Sequence, residues 1–150
     1  MLVTLAVITA TVVGIMVGVE FCGAIFVDPI LLRLPVETAL EASPQFGRVL
    51  GRVMPFWYIA SLILIVAVAV TIWGTPPAGT AVAAAILLAI SVVMSITLLV
   101  PINNRTKTWT VDDHPEDWRE QQQRWHRLHY ARVAIILAAF VLTLVAVVAG

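Results

Sequence analysis

Four stretches of the chain run for about twenty residues with almost no charge, which is the length a helix needs to cross a bilayer. They cover residues 2–27, broken only by Glu20, then 54–73, 80–100 and 133–149. None alternates apolar and polar side chains, and strands cross lipid only as closed barrels, so the runs are read as helices. The chain has 150 residues, 61% apolar and 12% charged. A soluble domain carries roughly 25% charge, and a disordered chain is polar, so both classes are excluded. The expected fold is an all-α, integral membrane four-helix bundle in one domain, residues 1–150, with polar segments at 28–53 and 101–132. The stretch Gly74-Thr75-Pro76-Pro77-Ala78-Gly79 reads as a tight turn between the second and third spans. The N-terminal run has no basic segment before it and is too long for a signal peptide, so it is read as an uncleaved helix.

Charge placement orients the bundle. Arg33, Arg48 and Arg52 lie between spans one and two; Arg105, Lys107, Arg119, Arg124, Arg127 and Arg132 lie between spans three and four. These are all nine basic residues, and both connections fall on one side of a four-span protein. The positive-inside rule makes that side cytoplasmic in a plasma membrane, with both termini and the Pro76-Pro77 turn outside. Every acid shares that face except Glu20, which is inside a span. Nine acids balance the nine bases, so no net field draws the chain to nucleic acid.

The fourth helix is expected to start well before its apolar run and extend into the cytoplasm, from an acidic, proline-containing start at Asp113-His114-Pro115. Trp118, Trp125, His129 and Arg132 are spaced by seven, four and three residues, which puts them on one helical face that continues into Ile136 and Phe140. One reading makes this face an interfacial anchor, with tryptophans at headgroup level and a snorkelling arginine. The other turns it inward and brings His129 and Arg132 against the other helices. Between spans one and two, Pro29, Pro35 and Pro44 argue against a long continuous helix. Residues 45–52 are expected as a short helix leading to Phe56-Trp57-Tyr58, whose aromatics suit an interface belt.

Glu20 is the strongest chemical signal. An ionised carboxylate in hydrocarbon is costly, so it should face the bundle interior, either as a functional group or as a protonated helix–helix hydrogen bond. Seven residues before Val27, it lies roughly 10 Å inside the cytoplasmic end of its helix at 1.5 Å per residue. Asn103 and Asn104 follow Pro101 at similar depth to His129 and Arg132; they suit helix capping, or orienting a ligand. These residues can line one cavity open to the cytoplasm or to the inner leaflet. His126 and His129, one turn apart, can join Glu20 as metal donors, although the paired Glu-x-x-His motifs of di-iron bundles are missing. His114 sits among acids and is expected to be solvated. Cys22 has no partner for an internal disulfide. No phosphate-binding glycine loop, Cys-x-x-Cys, nucleophile elbow or His-Glu-x-x-His occurs.

Several elements together resemble the anthrone oxygenase-like family of small four-span membrane proteins. They are Gly18-Val19-Glu20-Phe21 with Asp28-Pro29, Gly51-Arg52-Val53-Met54-Pro55-Phe56-Trp57, Val100-Pro101-Ile102-Asn103-Asn104-Arg105, Asp117-Trp118-Arg119, and the run from Trp125 to Arg132. The resemblance implies a four-helix membrane bundle and, for the best-known members, oxidation of anthrones to anthraquinones by molecular oxygen without flavin or haem. Asn103, Trp125, His129 and Arg132 fall on the family's motif positions, and Glu20 on the acidic position of its bacterial subgroup. Where relatives often carry Asn before the glutamate and His before the proline, this chain has Val19 and Asp28, so Asp28 would stand in for that histidine.

The leading expectation is therefore an oxidoreductase acting with oxygen on a small, hydrophobic, phenolic or polyketide-like substrate. His129 or Glu20 would serve as base, Arg132 and Asn103 would stabilise the anion, and Asn104, Trp125 and Asp28 would bind substrate. The cofactor is expected to be absent or a single transition metal. Two other readings stand beside it: a proton-coupled exporter using Glu20, and a non-catalytic assembly subunit in which Glu20 pairs with Arg132. Gly14 and Gly18 form a small-xxx-small pair that permits a homo-oligomer.

Overall fold

The computed structural model describes residues 1–150, and every regular element in it is helical. Four helices are long and apolar enough to cross a membrane: α1 (Leu2–Arg33), α2 (Val36–Thr71), α3 (Ala78–Thr106) and α4 (Trp118–Ala149). Each packs on its two neighbours around a ring, α1 on α2 and α4, α3 on α2 and α4, so the chain forms a membrane four-helix bundle. Gly74, with φ +83°, makes the sharp reversal between α2 and α3. Both termini meet that turn: Leu2 and Leu5 pack beside Val68, Ile72 and Ala146, and Gly150 abuts Ile72 and Pro77.

The buried stripes follow alternating steps of three and four residues. On α2 they are Met54, Tyr58, Ser61, Ile65 and Val68; on α4 they run Gln122, His126, His129, Val133, Ile136, Ala139, Thr143 and Ala146. Small residues such as Ala81, Ala84, Ala139 and Ala146 let backbones approach, while Val3, Ile63, Val70, Val93 and Val141 face outward. Lipid is as apolar as these side chains, so close packing of the small residues, more than burial itself, holds the helices together.

Helix ends depart from the sequence expectation. Of Pro29, Pro35 and Pro44, only Pro35 interrupts a helix: Leu34 before it is extended at ψ 152°, as steric contact with the proline ring requires. Pro29 and Pro101 instead lie inside continuous helices, each directly after a π-helical turn, Gly23–Val27 and Ser95–Leu99. The wider turn relieves the ring's clash with the preceding carbonyl. Pro44 and Pro55 are interior to α2, which starts at Val36 and not near residue 45. Each removes one N–H, but the flanking turns are clamped by packing, Ala39 and Leu40 against Trp118, and Met54 and Tyr58 in the main core. α4 starts at Trp118, three residues after Pro115, whose carbonyl accepts the Trp118 N–H.

Candidate functional site

The polar groups of all four helices converge at the end of the bundle opposite the turn. On α1, Glu20 and Asp28 are eight residues apart. An α-helix closes two turns in about seven residues, and the intervening π turn absorbs the extra one, so both carboxylates face the same side. The same device on α3 aligns Ser95 with Asn103, again eight apart across a π turn. Trp125, His126, His129 and Arg132 come from α4 and Tyr58 from α2.

His129 bridges the two acids. Its Nε2 lies 2.8 Å from Glu20 Oε2 and its Nδ1 2.7 Å from Asp28 Oδ2. Two carboxylates cannot donate unless one is protonated, so the row Asp28–His129–Glu20 holds one proton more than a neutral ring between two carboxylates would. Arg132 completes the row: Nη2 donates to Glu20 Oε2, and Nη1 donates to Ser95 Oγ at 3.1 Å. The Tyr58 hydroxyl donates to Glu20 Oε1 at 3.1 Å. Glu20, Asp28 and His129 are 4%, 2% and 2% exposed. With His129 doubly protonated, two negative and two positive groups cancel, which is the condition under which such a cluster can be buried.

The surroundings are aromatic and partly unsatisfied. The Trp125 ring lies 4.7 Å from His129 and 5.5 Å, edge-on, from His126. His126 Nδ1 is 3.0 Å from Asp28 Oδ2 but out of line, and makes no hydrogen bond. Trp125 Nε1 and Arg132 Nε are likewise buried without a partner. The row borders a cavity of about 270 Å³, walled by Phe46, Leu50, Met54, Ile59, Ile96 and Leu99.

Glu20, Asp28, Asn103, Trp125, His126, His129 and Arg132 all line this cavity. Asn104 does not: neighbouring residues on a helix point about 100° apart, and Asn104 turns outward to accept from Lys107 at 3.5 Å. Neither asparagine side chain caps a helix; Asn103 lies over Gly47 of α2. Of the α4 face, His129 points inward and Trp118 is buried against Ala39 and Leu40, with Arg119 stacked 4.5 Å over its ring. His114 packs edge-on against Trp118 at 6.0 Å and bonds the Thr110 carbonyl. Glu20, His129 and His126 do not converge on a point as metal donors, nor does any group of three His, Cys, Asp or Glu side chains. Both His129 nitrogens are engaged by carboxylates, so a metal at this ring would have to displace one of those bonds.

Tyr58, Ser95 and Gln122 also line the cavity and were not anticipated. Of the aromatic run Phe56-Trp57-Tyr58, only Phe56 fits an interface belt; Trp57 donates to the Val12 carbonyl at 3.0 Å and Tyr58 is buried. The signal for Tyr58 was the spacing Met54, Tyr58, Ser61, Ile65, a core stripe. Gly14, half of the small-xxx-small pair, is covered by Phe140 of the same chain.

Compared with known proteins, residues 46–142 match the family model described as anthrone oxygenase. No curated protein and no solved structure matches the chain. The matched region contains Tyr58, Asn103, Trp125, His126, His129 and Arg132, and leaves both carboxylates of the row, on α1, outside it.

Proposed function

The chain belongs to the anthrone oxygenase family, and from that premise we propose that it is a membrane-embedded oxygenase acting on a small, lipophilic, phenolic or polyketide-like substrate. The observation that carries the reading is the buried row Asp28–His129–Glu20–Arg132 along the wall of a cavity whose surface is largely apolar. An apolar cavity with a few convergent polar groups is the usual form of a small-molecule site. In the proposed reaction, a substrate proton from an acidic C–H beside a carbonyl or phenol passes into the row at the Asp28 carboxylate, which the doubly protonated His129 holds in place. Arg132, with Asn103, faces the anion that forms and stabilises it in a site with little water. The electron-rich anion then reduces oxygen: a CH₂ group and O₂ become a C=O group and H₂O, so substrate carbon is oxidised and no further reductant is needed.

Oxygen uptake by protein reconstituted in liposomes tests this, with an anthrone as substrate. The expected result is one O₂ consumed per ketone formed, and a loss of about 100-fold or more in His129→Ala, the scale of general acid–base catalysis. Uptake no greater than in protein-free vesicles would overturn the reading.

The Glu20–Arg132 pair also favours the assembly-subunit reading, in which the row is structural. That reading predicts normal partner assembly with no substrate-dependent oxygen uptake. The exporter is less well supported, because Val13, Met16, Ile65, Leu88 and Ile136 fill the bundle beyond Tyr58. We place the charged loops on the cytoplasmic side of the plasma membrane and both termini outside. Tags at either end should then be removed by external protease in intact cells, and protection of both would reverse the orientation.

A further inference from the structure

The seam between α2 and α3 beside the cavity is tight at the end nearest the charged loops. At that end α2 and α3 close on each other through two glycines. A Cβ on Gly47 would sit 2.8 Å from Asn103 Oδ1, and one on Gly51 would sit 3.5 Å from Lys107 Nζ. The missing side chains let the Asn103 amide and the Lys107 ammonium lie across the seam. Gln122, Thr106 and Ser43, the polar lining at this level, are buried or half-buried.

The exposed lining residues tell the opposite story. Beyond Gly51, which lies under Lys107, they are Pro55 and Ile59 on α2, four apart, and Ile96 and Val100 on α3, also four apart. Residues four apart share a helix face, so these are two facing edges of one gap. Ile59 is 55% and Ile96 62% exposed although both border the cavity. Neither edge has an ionisable side chain. Ile59, Ile96 and Val100 belong to the apolar runs of their helices, so their outward surface is hydrocarbon, not water.

We propose that the gap between Pro55-Ile59 and Ile96-Val100 is a lateral portal through which an uncharged, lipophilic substrate passes from the bilayer leaflet nearest the charged loops directly into the site. The proposal deepens the oxygenase reading by naming the phase from which substrate is drawn. A molecule dissolved in the leaflet keeps its apolar surface out of water throughout, whereas a route past Lys107 and Asn103 would expose it. Charged analogues are rejected at this rim, because desolvating an ion between two isoleucines has no compensating partner.

The test uses no turnover, so its outcome is independent of whether the oxygenase reading holds. A reporter cysteine is placed on the cavity wall as Val92→Cys in a Cys22→Ala background, in liposomes. It is treated with N-phenylmaleimide, which partitions into lipid, or with a charged sulfonatoethyl methanethiosulfonate. We expect the lipophilic reagent to label the reporter and the charged reagent to trail it by about tenfold or more, relative to each reagent's rate on a short thiol peptide. Adding Ile96→Trp to plug the gap should slow the lipophilic labelling by about tenfold. Leu50→Cys, also on the wall, serves as reporter if the first variant does not fold. Equal labelling by both reagents, no effect of Ile96→Trp, or no labelling of either reporter would each overturn the portal.

Discussion

On the turn side of Tyr58, the bundle is filled by Val13, Met16, Ile65, Leu88, Ile136 and Ala139, groups that ask nothing of one another but contact. Of its buried hydroxyls, Thr9 donates to Leu5 and Thr143 to Ala139 within their own helices, both at 2.8 Å, while Ser61 reaches only the weakly accepting Met16 Sδ of α1 at 3.4 Å. On the other side, Glu20, Asp28, His129 and Arg132 can be buried only because each finds its partner on another helix. The first region stores stability as packing, which degrades gradually. The second stores it as charge balance, which fails when a single member is removed, and that same requirement keeps a reactive geometry in place.

Paired substitutions sharpen this contrast. Glu20→Ala leaves Arg132 and His129 without their shared acceptor, and should cost about 3 to 5 kcal/mol in detergent unfolding experiments, as breaking one side of a buried ion pair does. Leu88→Ala leaves a cavity in the packed half. It should cost nearer 2 kcal/mol, at the low end for core truncations because lipid competes for apolar surface, and turnover per folded molecule should be unchanged. If the two costs are equal, or if Glu20→Gln with Arg132→Gln is as damaging as the sum of the single changes, the charge-balance account is wrong.

The glycines give a smaller contrast. Gly47→Ala places a Cβ 2.8 Å from Asn103 Oδ1 and pushes that amide off α2; because the clash is with the end of a side chain, it should cost about 1 kcal/mol. Gly14→Ala meets Phe140 Cζ at 3.1 Å, a contact that a shift of a few tenths of an ångström relieves, so its effect on melting should be the lesser of the two. The smallest effect is expected at Asn104→Ala, within about 0.5 kcal/mol and with uptake of oxygen intact, because its side chain is outside the cavity. A large loss of turnover there would return Asn104 to the substrate site.

Much of the bundle was legible before any coordinates. Run length specified four helices, because each backbone group in lipid must be satisfied inside its own helix. Glu20 declared itself because a lone carboxylate in a span has to be compensated, and the Trp125–Arg132 face was visible from its spacing. Proline misled: the rule that it breaks helices held at Pro35 and failed at Pro29, Pro44, Pro55 and Pro101, where a π turn or tertiary packing absorbs it. Tyr58 was hidden among interface aromatics, since a hydroxyl's partner on another helix leaves no local trace.

What the sequence determined by itself is the set of elements, their number and the end of the bundle that holds charge, because these depend on transfer between water and hydrocarbon, a property of residues summed along the chain. What only the tertiary structure decided is pairing: that His129 joins two acids eight residues apart on α1, that Asn103 and not Asn104 meets the cavity, and that Gly47 lies against Asn103 while Ile59 and Ile96 border the cavity exposed. Those outcomes depend on helix phase. A single extra residue in a π turn rotates everything beyond it, and no count of residue types records that rotation.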